Sequence, residues 1–324
     1  MKVGVLGTGN ISHEFLGAAR VHEVEVVAVY NRSLEKANTF AQVYEIPSTY
    51  DNYDEFLLNN GFDTVYVGLP NGLHYEYGKK ALQAGKNVLI EKPFASNMKQ
   101  FDELVSLANE RGLYLIEMDR VTAQPNFQIL KERLPEIGDV KCVTMDFCQY
   151  SRKWDSYKEG NFINVFSTEF SGGALLDLGV YCVNLAVSLF GKPESLVYVV
   201  DKLETGVDIT GNLVMKYPGR IVSIVCAKNS IGDKVQNIQG EKGSLRINGV
   251  PGAMDSIYLV TSKDSTCVSV EQEYNGTTYT LGEMKRIIDN KDWEACALRL
   301  MQSRKVMQVL DAARKSADIV FPVD

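Results

Sequence analysis

The stretch Lys2-Val3-Gly4-Val5-Leu6-Gly7-Thr8-Gly9-Asn10-Ile11-Ser12 reads as a buried strand, a glycine turn and the first turn of a helix. The strand takes residues 2–6, and the helix is expected over residues 11–20. The first glycine permits the tight turn, and the second lets a ligand come close to the backbone. The helix N-terminus then offers unbonded N–H groups and a partial positive charge to an anion. A glycine pattern alone is weak, and here its third position is Ser12. Context carries the reading: a strand before, a helix after, and a valine-rich second strand over residues 23–30 at the spacing of a βαβ unit. Gly7, Thr8, Gly9, Asn10 and Ile11 are therefore expected to cradle the pyrophosphate of a dinucleotide.

The second strand ends in Tyr30-Asn31-Arg32-Ser33. A carboxylate at this place bonds the ribose hydroxyls of NAD, and none is present. A guanidinium pairs with a 2′-phosphate, and a serine hydroxyl can bond it. Asn31, Arg32 and Ser33 thus point to NADP, with NAD as the alternative.

Outward from this motif, apolar strands alternate with helical patterns. Ser33 caps a helix running to about residue 43. Strands are expected at 63–68, 87–90 and 113–116. Helices are expected at 74–84, closed by Gly85, and at 97–111, closed by Gly112. The alternation predicts an α/β fold, with a doubly wound parallel (Rossmann) sheet over residues 1–120. Beyond residue 120 the pattern changes. A helix at 125–134 and a strand at 140–150 precede a helix at 172–190. Strands then follow at 195–203, 209–217, 220–227, 234–239, 256–261 and 267–274, and a helix closes the chain at 293–316. This predicts an α+β domain over residues 121–324 with an open, largely antiparallel sheet. Its C-terminal helix is free to pack back on the first domain.

The bulk composition excludes several classes. The net charge of -7 argues against a nucleic-acid partner. Six cysteines without a CxxC pair and only three histidines support neither a zinc site nor a disulfide framework. The N-terminal apolar run is short and broken by Gly4 and Gly7. No stretch reads as a membrane span. A cytoplasmic protein without metal, membrane or nucleic acid is the expectation.

Two further stretches carry chemistry. Glu91-Lys92-Pro93 directly follows the strand at 87–90, and strand C-terminal ends in such sheets face the ligand crevice. A lysine there can neutralise a developing oxyanion. Asp177 and Tyr181, within SGGALLDLGVY, lie four residues apart and share one helix face.

These stretches give the chain a resemblance to the glucose–fructose oxidoreductase, inositol dehydrogenase and MocA (Gfo/Idh/MocA) family. It is carried by GTGNIS, by GLPNGLHYEYGKKALQAGKNVLIEKPF from Gly68 to Phe94, by SGGALLDLGVYCVNLAVSLFG from Ser171 to Gly191, and by QGEKGSLRING from Gln239 to Gly249. The resemblance implies a Rossmann domain followed by an α/β domain whose open sheet often forms dimers, so a homodimer or higher homo-oligomer is expected. It implies that Lys92, in the EKP motif, serves substrate binding and catalysis, and that Asp177 is the aspartate of the family's glycine-rich helix. It also implies that Pro70, Asn71 and His74 lie near the nicotinamide side of the cofactor, with Glu91 beside them. Many members carry histidine where this chain has Tyr181. Tyrosine occurs in the dihydrodiol (xylose) dehydrogenase branch, to which this chain looks nearer, and in glucose–fructose oxidoreductase.

A phenol, with an ordinary pKa near 10, is a proton donor for carbonyl reduction but a poor base at neutral pH. A lysine cation nearby supplies the stabilisation that makes it a base. The expected activity is hydride transfer between a nicotinamide cofactor and a sugar, polyol or related carbonyl compound. Tyr181 exchanges the proton, Lys92 steadies the oxyanion, and Asp177 orients the substrate. A redox-neutral enzyme holding the dinucleotide tightly, and a non-catalytic dinucleotide sensor, are the alternatives. A sensor has no need of lysine, aspartate and an acid/base together.

Overall fold

The computed structural model describes residues 1–324, which fall into two compact units. The first comprises residues 1–119 and 277–304, and the second residues 120–276 and 305–324.

The first unit begins β1 (Lys2–Leu6), α1 (Asn10–Val21), β2 (Glu25–Tyr30), α2 (Leu34–Tyr44), β3 (Ser48–Tyr50) and α3 (Tyr53–Leu58). It continues β4 (Thr64–Val67), α4 (His74–Gln83), β5 (Asn87–Ile90), α5 (Met98–Arg111) and β6 (Leu115–Glu117). The strands form one parallel sheet in the order β3-β2-β1-β4-β5-β6. Chain direction across the sheet reverses between β1 and β4, which opens a crevice at their C-terminal ends. Val3, Val5, Leu6, Val65, Val67, Leu89 and Ile90 have no exposed surface, as strands covered on both faces require. Asn97 caps α5 by accepting from Gln100 N–H, and Gly112 closes it in the left-handed conformation.

The second unit contains α6 (Pro125–Arg133), β7 (Val140–Cys148), α7 (Trp154–Lys158), α8 (Val180–Phe190), β8 (Ser195–Lys202), β9 (Asp208–Tyr217) and β10 (Arg220–Ala227). Then come β11 (Val235–Gly240), β12 (Ser244–Asn248), β13 (Ser256–Val260) and β14 (Ser265–Cys267). Its sheet runs β14-β13-β12-β11-β7-β10-β9-β8. Every neighbouring pair is antiparallel except β7 with β10, so the largely antiparallel expectation is borne out. The chain closes with α9 (Gly276–Asp289) and α10 (Trp293–Ser316).

Four local expectations are corrected. The helix foreseen from Gly172 starts later. Gly172 and Gly173, the latter at φ +112, are non-helical, and Leu175–Gly179 is a π-helix that leads into α8. The strand foreseen over 267–274 ends at Cys267. There the backbone leaves the ladder for the Asn126 side chain, which accepts from Val270 N–H at 2.9 Å and donates to its carbonyl at 3.1 Å. Helix α9 was not foreseen, because Gly276-Thr277-Thr278-Tyr279 is a poor helical start. It forms because Leu281, Met284 and Ile287 share one face and join the first unit's core with Phe15, Tyr114 and Ile116. Finally, Thr168–Phe190 is long and apolar enough to pass for a membrane span, and most of it is buried inside the protein.

Candidate active site

In the first unit the glycine turn is built for close approach. Gly7 sits at φ +92 and donates to the Tyr30 carbonyl at 2.9 Å. A Cβ there would fall 2.7 Å from the Gly68 carbonyl oxygen. Gly9 starts α1 with no side-chain cap, and nothing lies within 4 Å of where its Cβ would stand. The first-turn N–H groups thus meet no side-chain acceptor, as an anion site needs. Ser12, in the third glycine's place, is fully buried, and its hydroxyl has no hydrogen-bond partner in the protein. A dinucleotide pyrophosphate fits this loop.

At the end of β2, Asn31 ties the strand to the loop. Its Nδ2 donates to Thr8 Oγ1 at 2.8 Å, and its Oδ1 accepts from Ser33 N–H at 2.9 Å. Arg32 is exposed and makes no ion pair. Ser33 accepts from Lys36 N–H and so caps α2.

The segments after β4 and β5 are clamped together. Pro70 leads into a short 3-10 turn, Asn71–Leu73. His74 has no exposed surface, and its Nδ1 and Nε2 lie 2.8 Å from the carbonyls of Pro93 and Leu69. Burial pulls its pKa down, while the two carbonyls oppose that by favouring the charged ring. With no exposed surface, His74 acts on the two loops rather than on a ligand. Glu91 is likewise buried and accepts from Tyr66 Oη at 2.9 Å and from the Lys92 N–H at 3.3 Å. Lys92 itself is half-buried. At the end of β6, buried Glu117 accepts from Ser303 Oγ at 2.6 Å and from the Phe94 N–H. Burial pushes the Glu117 pKa up to about 7.

In the second unit one buried carboxylate organises the start of the helix that carries Asp177 and Tyr181. Asp208 accepts from Leu175 N–H and from Tyr198 Oη, each at 2.6 Å. Burial raises its pKa against these donors. A side chain at Gly173 would collide with it. Asp177 lies in the π-turn and Tyr181 in the first turn of α8, both half-buried among fully buried neighbours. The Tyr181 ring packs on Phe147, with centroids 5.6 Å apart, and against Gly252. Asp177 is paired with Lys228, which directly follows β10.

Sequence reasoning missed Lys228, Asp208 and Glu117. Each is a charged residue buried by tertiary contacts that leave no local pattern. An isolated acid or lysine beside an apolar strand was the only trace.

A model described as oxidoreductase family, NAD-binding Rossmann fold, matches residues 1–118, and one for the Gfo/Idh/MocA C-terminal domain matches residues 128–246. The chain is 33% identical to the scyllo-inositol 2-dehydrogenase (NADP(+)) IolU of Bacillus subtilis, over 100% of this chain and 99% of that one. It is 30% identical to trans-1,2-dihydrobenzene-1,2-diol dehydrogenase of Xenopus laevis, over 99% of each. Among solved structures it is similar in fold to a 3-ketoreductase from Actinomadura kijaniata in complex with NADP and TDP-benzene. That match has a TM-score of 0.88 at 24% identity and covers 98% of each chain. The chain belongs to the Gfo/Idh/MocA family and is an NAD(P)-dependent oxidoreductase.

Proposed function

We propose that this enzyme interconverts a secondary alcohol and its ketone in a neutral polyol or sugar, with NADP(H) as the redox partner. The observation that carries the reading is the placement of Tyr181 and Asp177 on successive turns of one helix, each partly open among buried neighbours. Residues 1–119 with 277–304 serve as the cofactor domain, and residues 120–276 with 305–324 as the substrate domain. The cofactor supplies or accepts hydride at the nicotinamide ring.

The protein's own residues do the rest. Gly7, Thr8, Gly9, Asn10 and Ile11 hold the pyrophosphate, and Asn31 fixes Thr8 for that task. Arg32 and Ser33 take the 2′-phosphate. Pro70 and Asn71 line the nicotinamide side, held by His74 and Glu91. In reduction, the Tyr181 phenol gives its proton to the carbonyl oxygen as hydride reaches the carbon. In oxidation, its conjugate base takes the hydroxyl proton. Lys92 supplies the cation that steadies negative charge on that oxygen, and Asp177 accepts a hydrogen bond from a substrate hydroxyl. The NADP(+) and polyol in the names of the relatives favour this reading over a redox-neutral enzyme or a sensor.

The test is a panel of scyllo-inositol, trans-1,2-dihydrobenzene-1,2-diol, free sugars and their ketones, read by NADPH absorbance. Turnover of a polyol or ketone supports the proposal. Tight NADPH binding without turnover of any of them overturns it in favour of a sensor.

We also infer a cytoplasmic homodimer. Val197, Val199, Ile221 and Val225 stand 48%, 67%, 53% and 37% exposed on the outer face of β8 and β10. Such an apolar sheet face marks a partner surface. Val199→Asp should yield monomers by light scattering, and a wild-type monomer would remove the inference.

A further inference from the structure

We propose that Lys228 is a positioning residue for the reaction, acting through Asp177. The inference rests on the role given to Asp177 above. The Lys228 backbone is fixed on both sides. Its N–H donates to the Ile209 carbonyl at 2.9 Å, and its own carbonyl accepts from Ser151 N–H at 2.8 Å. Its side chain is 6% exposed and its Nζ donates to Asp177 Oδ2, whose side chain is 31% exposed.

A buried ammonium requires a counter-charge, and the geometry selects Asp177. The other carboxylates of this part of the unit are held by different donors. Asp146 accepts from Cys148 N–H at 2.8 Å and from Lys234 N–H at 3.3 Å. Asp208 accepts from Leu175 N–H and Tyr198 Oη.

The pair has an asymmetric design, with its cation sealed off and its anion partly open. The buried partner fixes the carboxylate's plane, and the open partner meets the ligand. Widening of the helix at Leu175–Gly179 sets Asp177 in the π-turn, and Asp208 pins that turn at Leu175. The carboxylate is thereby held from two directions. Its charge is also cancelled locally, so the site suits a neutral hydroxyl rather than a cationic substrate.

The experiment is a double-mutant cycle on kcat with Lys228→Met, Asp177→Asn and the double variant, plus Lys228→Arg as the conservative exchange. The probes are scyllo-inositol and trans-1,2-dihydrobenzene-1,2-diol with NADP, and rates are normalised to sites titrated with NADPH. Lys228→Met is expected to lower kcat about 10- to 100-fold, the usual cost of a misplaced catalytic group, with NADPH affinity unchanged. Lys228→Arg is expected to recover part of the loss. In the Asp177→Asn background, removing Lys228 is expected to cost less than about threefold, because its target is gone. A merely structural lysine would lower stability and the number of active sites while leaving turnover per site unchanged. Losses that multiply across the cycle, or Lys228→Met turning over like wild type per site, overturn the proposal. Where the lone Met variant fails to fold, the double variant lacks both charges and decides the question against Asp177→Asn alone. Failure of wild type on both probes and on the wider panel overturns the polyol reading and this inference together.

Discussion

Asn31 Nδ2 donates to Thr8 Oγ1 at 2.8 Å, joining the end of β2 to the glycine turn. The same amide accepts from Ser33 N–H, so one side chain sets both the pyrophosphate loop and the start of α2. A single such bond is worth about 0.5–1.5 kcal/mol. Asn31→Ala should therefore weaken NADPH binding about 2- to 10-fold by fluorescence titration. Unaltered affinity would show that the loop holds its shape without the bond.

Arg32 stands exposed next to that amide and without an ion pair. A charge-assisted contact to the 2′-phosphate is worth about 1.5–3 kcal/mol. Arg32→Ala should raise the Kd for NADPH by about 10- to 100-fold while leaving NADH binding nearly unchanged. Equal losses for the two cofactors, or a wild type that prefers NADH, would sink the NADP assignment.

The parallel sheet was legible because its signals are local. The apolar runs at Lys2–Leu6, Thr64–Val67 and Asn87–Ile90 are each bounded by glycine, proline or a cap, and the strand order follows from the βαβ pattern. The three-residue β3 and the β-rich start of α9 lack such signals and exist through packing. The site was legible in part. Lys92, Asp177 and Tyr181 sit in recognisable motifs, whereas the groups that hold them are remote in sequence. Glu117 contacts Ser303 across 186 positions, and Lys228 reaches Asp177 across 51. Nothing in a residue's neighbours announces a partner that far away.

Gly173 separates two kinds of glycine cost. At φ +112 a side chain is strained, and here it would also strike Asp208. Gly160, at φ +87, has nothing within 4 Å of its Cβ position. Gly160→Ala should lose only the backbone penalty of about 1–2 kcal/mol. Gly173→Ala should lose clearly more in denaturant unfolding, and its turnover should fall as Leu175 N–H loses its acceptor. Equal losses in the two variants would show that the Asp208 contact relaxes freely.

Lys92→Ala and Tyr181→Phe address the chemistry directly. Each should lower kcat at least about 100-fold on any substrate found, the usual contribution of a positioned acid or base. NADPH affinity should survive both, since neither residue belongs to the glycine loop. Wild-type rates in both variants would remove the catalytic assignment while leaving the family membership intact.

Glu117 makes stability depend on pH in a defined direction. Its pKa rises from 4.5 to about 7 on folding, with burial as the main cause. The folded protein therefore binds this proton more tightly than the unfolded chain does. Stability contributed by the neutral acid is complete below about pH 4.5 and is lost as pH rises toward about 7. Above that, the ionised group costs about 3 kcal/mol relative to an unshifted one. The acceptor of Ser303 Oγ and Phe94 N–H then carries a buried charge. Glu117→Gln keeps a carbonyl acceptor for both donors and removes the titration. Its unfolding free energy should fall less than wild type's between about pH 5 and pH 8. Parallel profiles for the two proteins would place the pH dependence elsewhere.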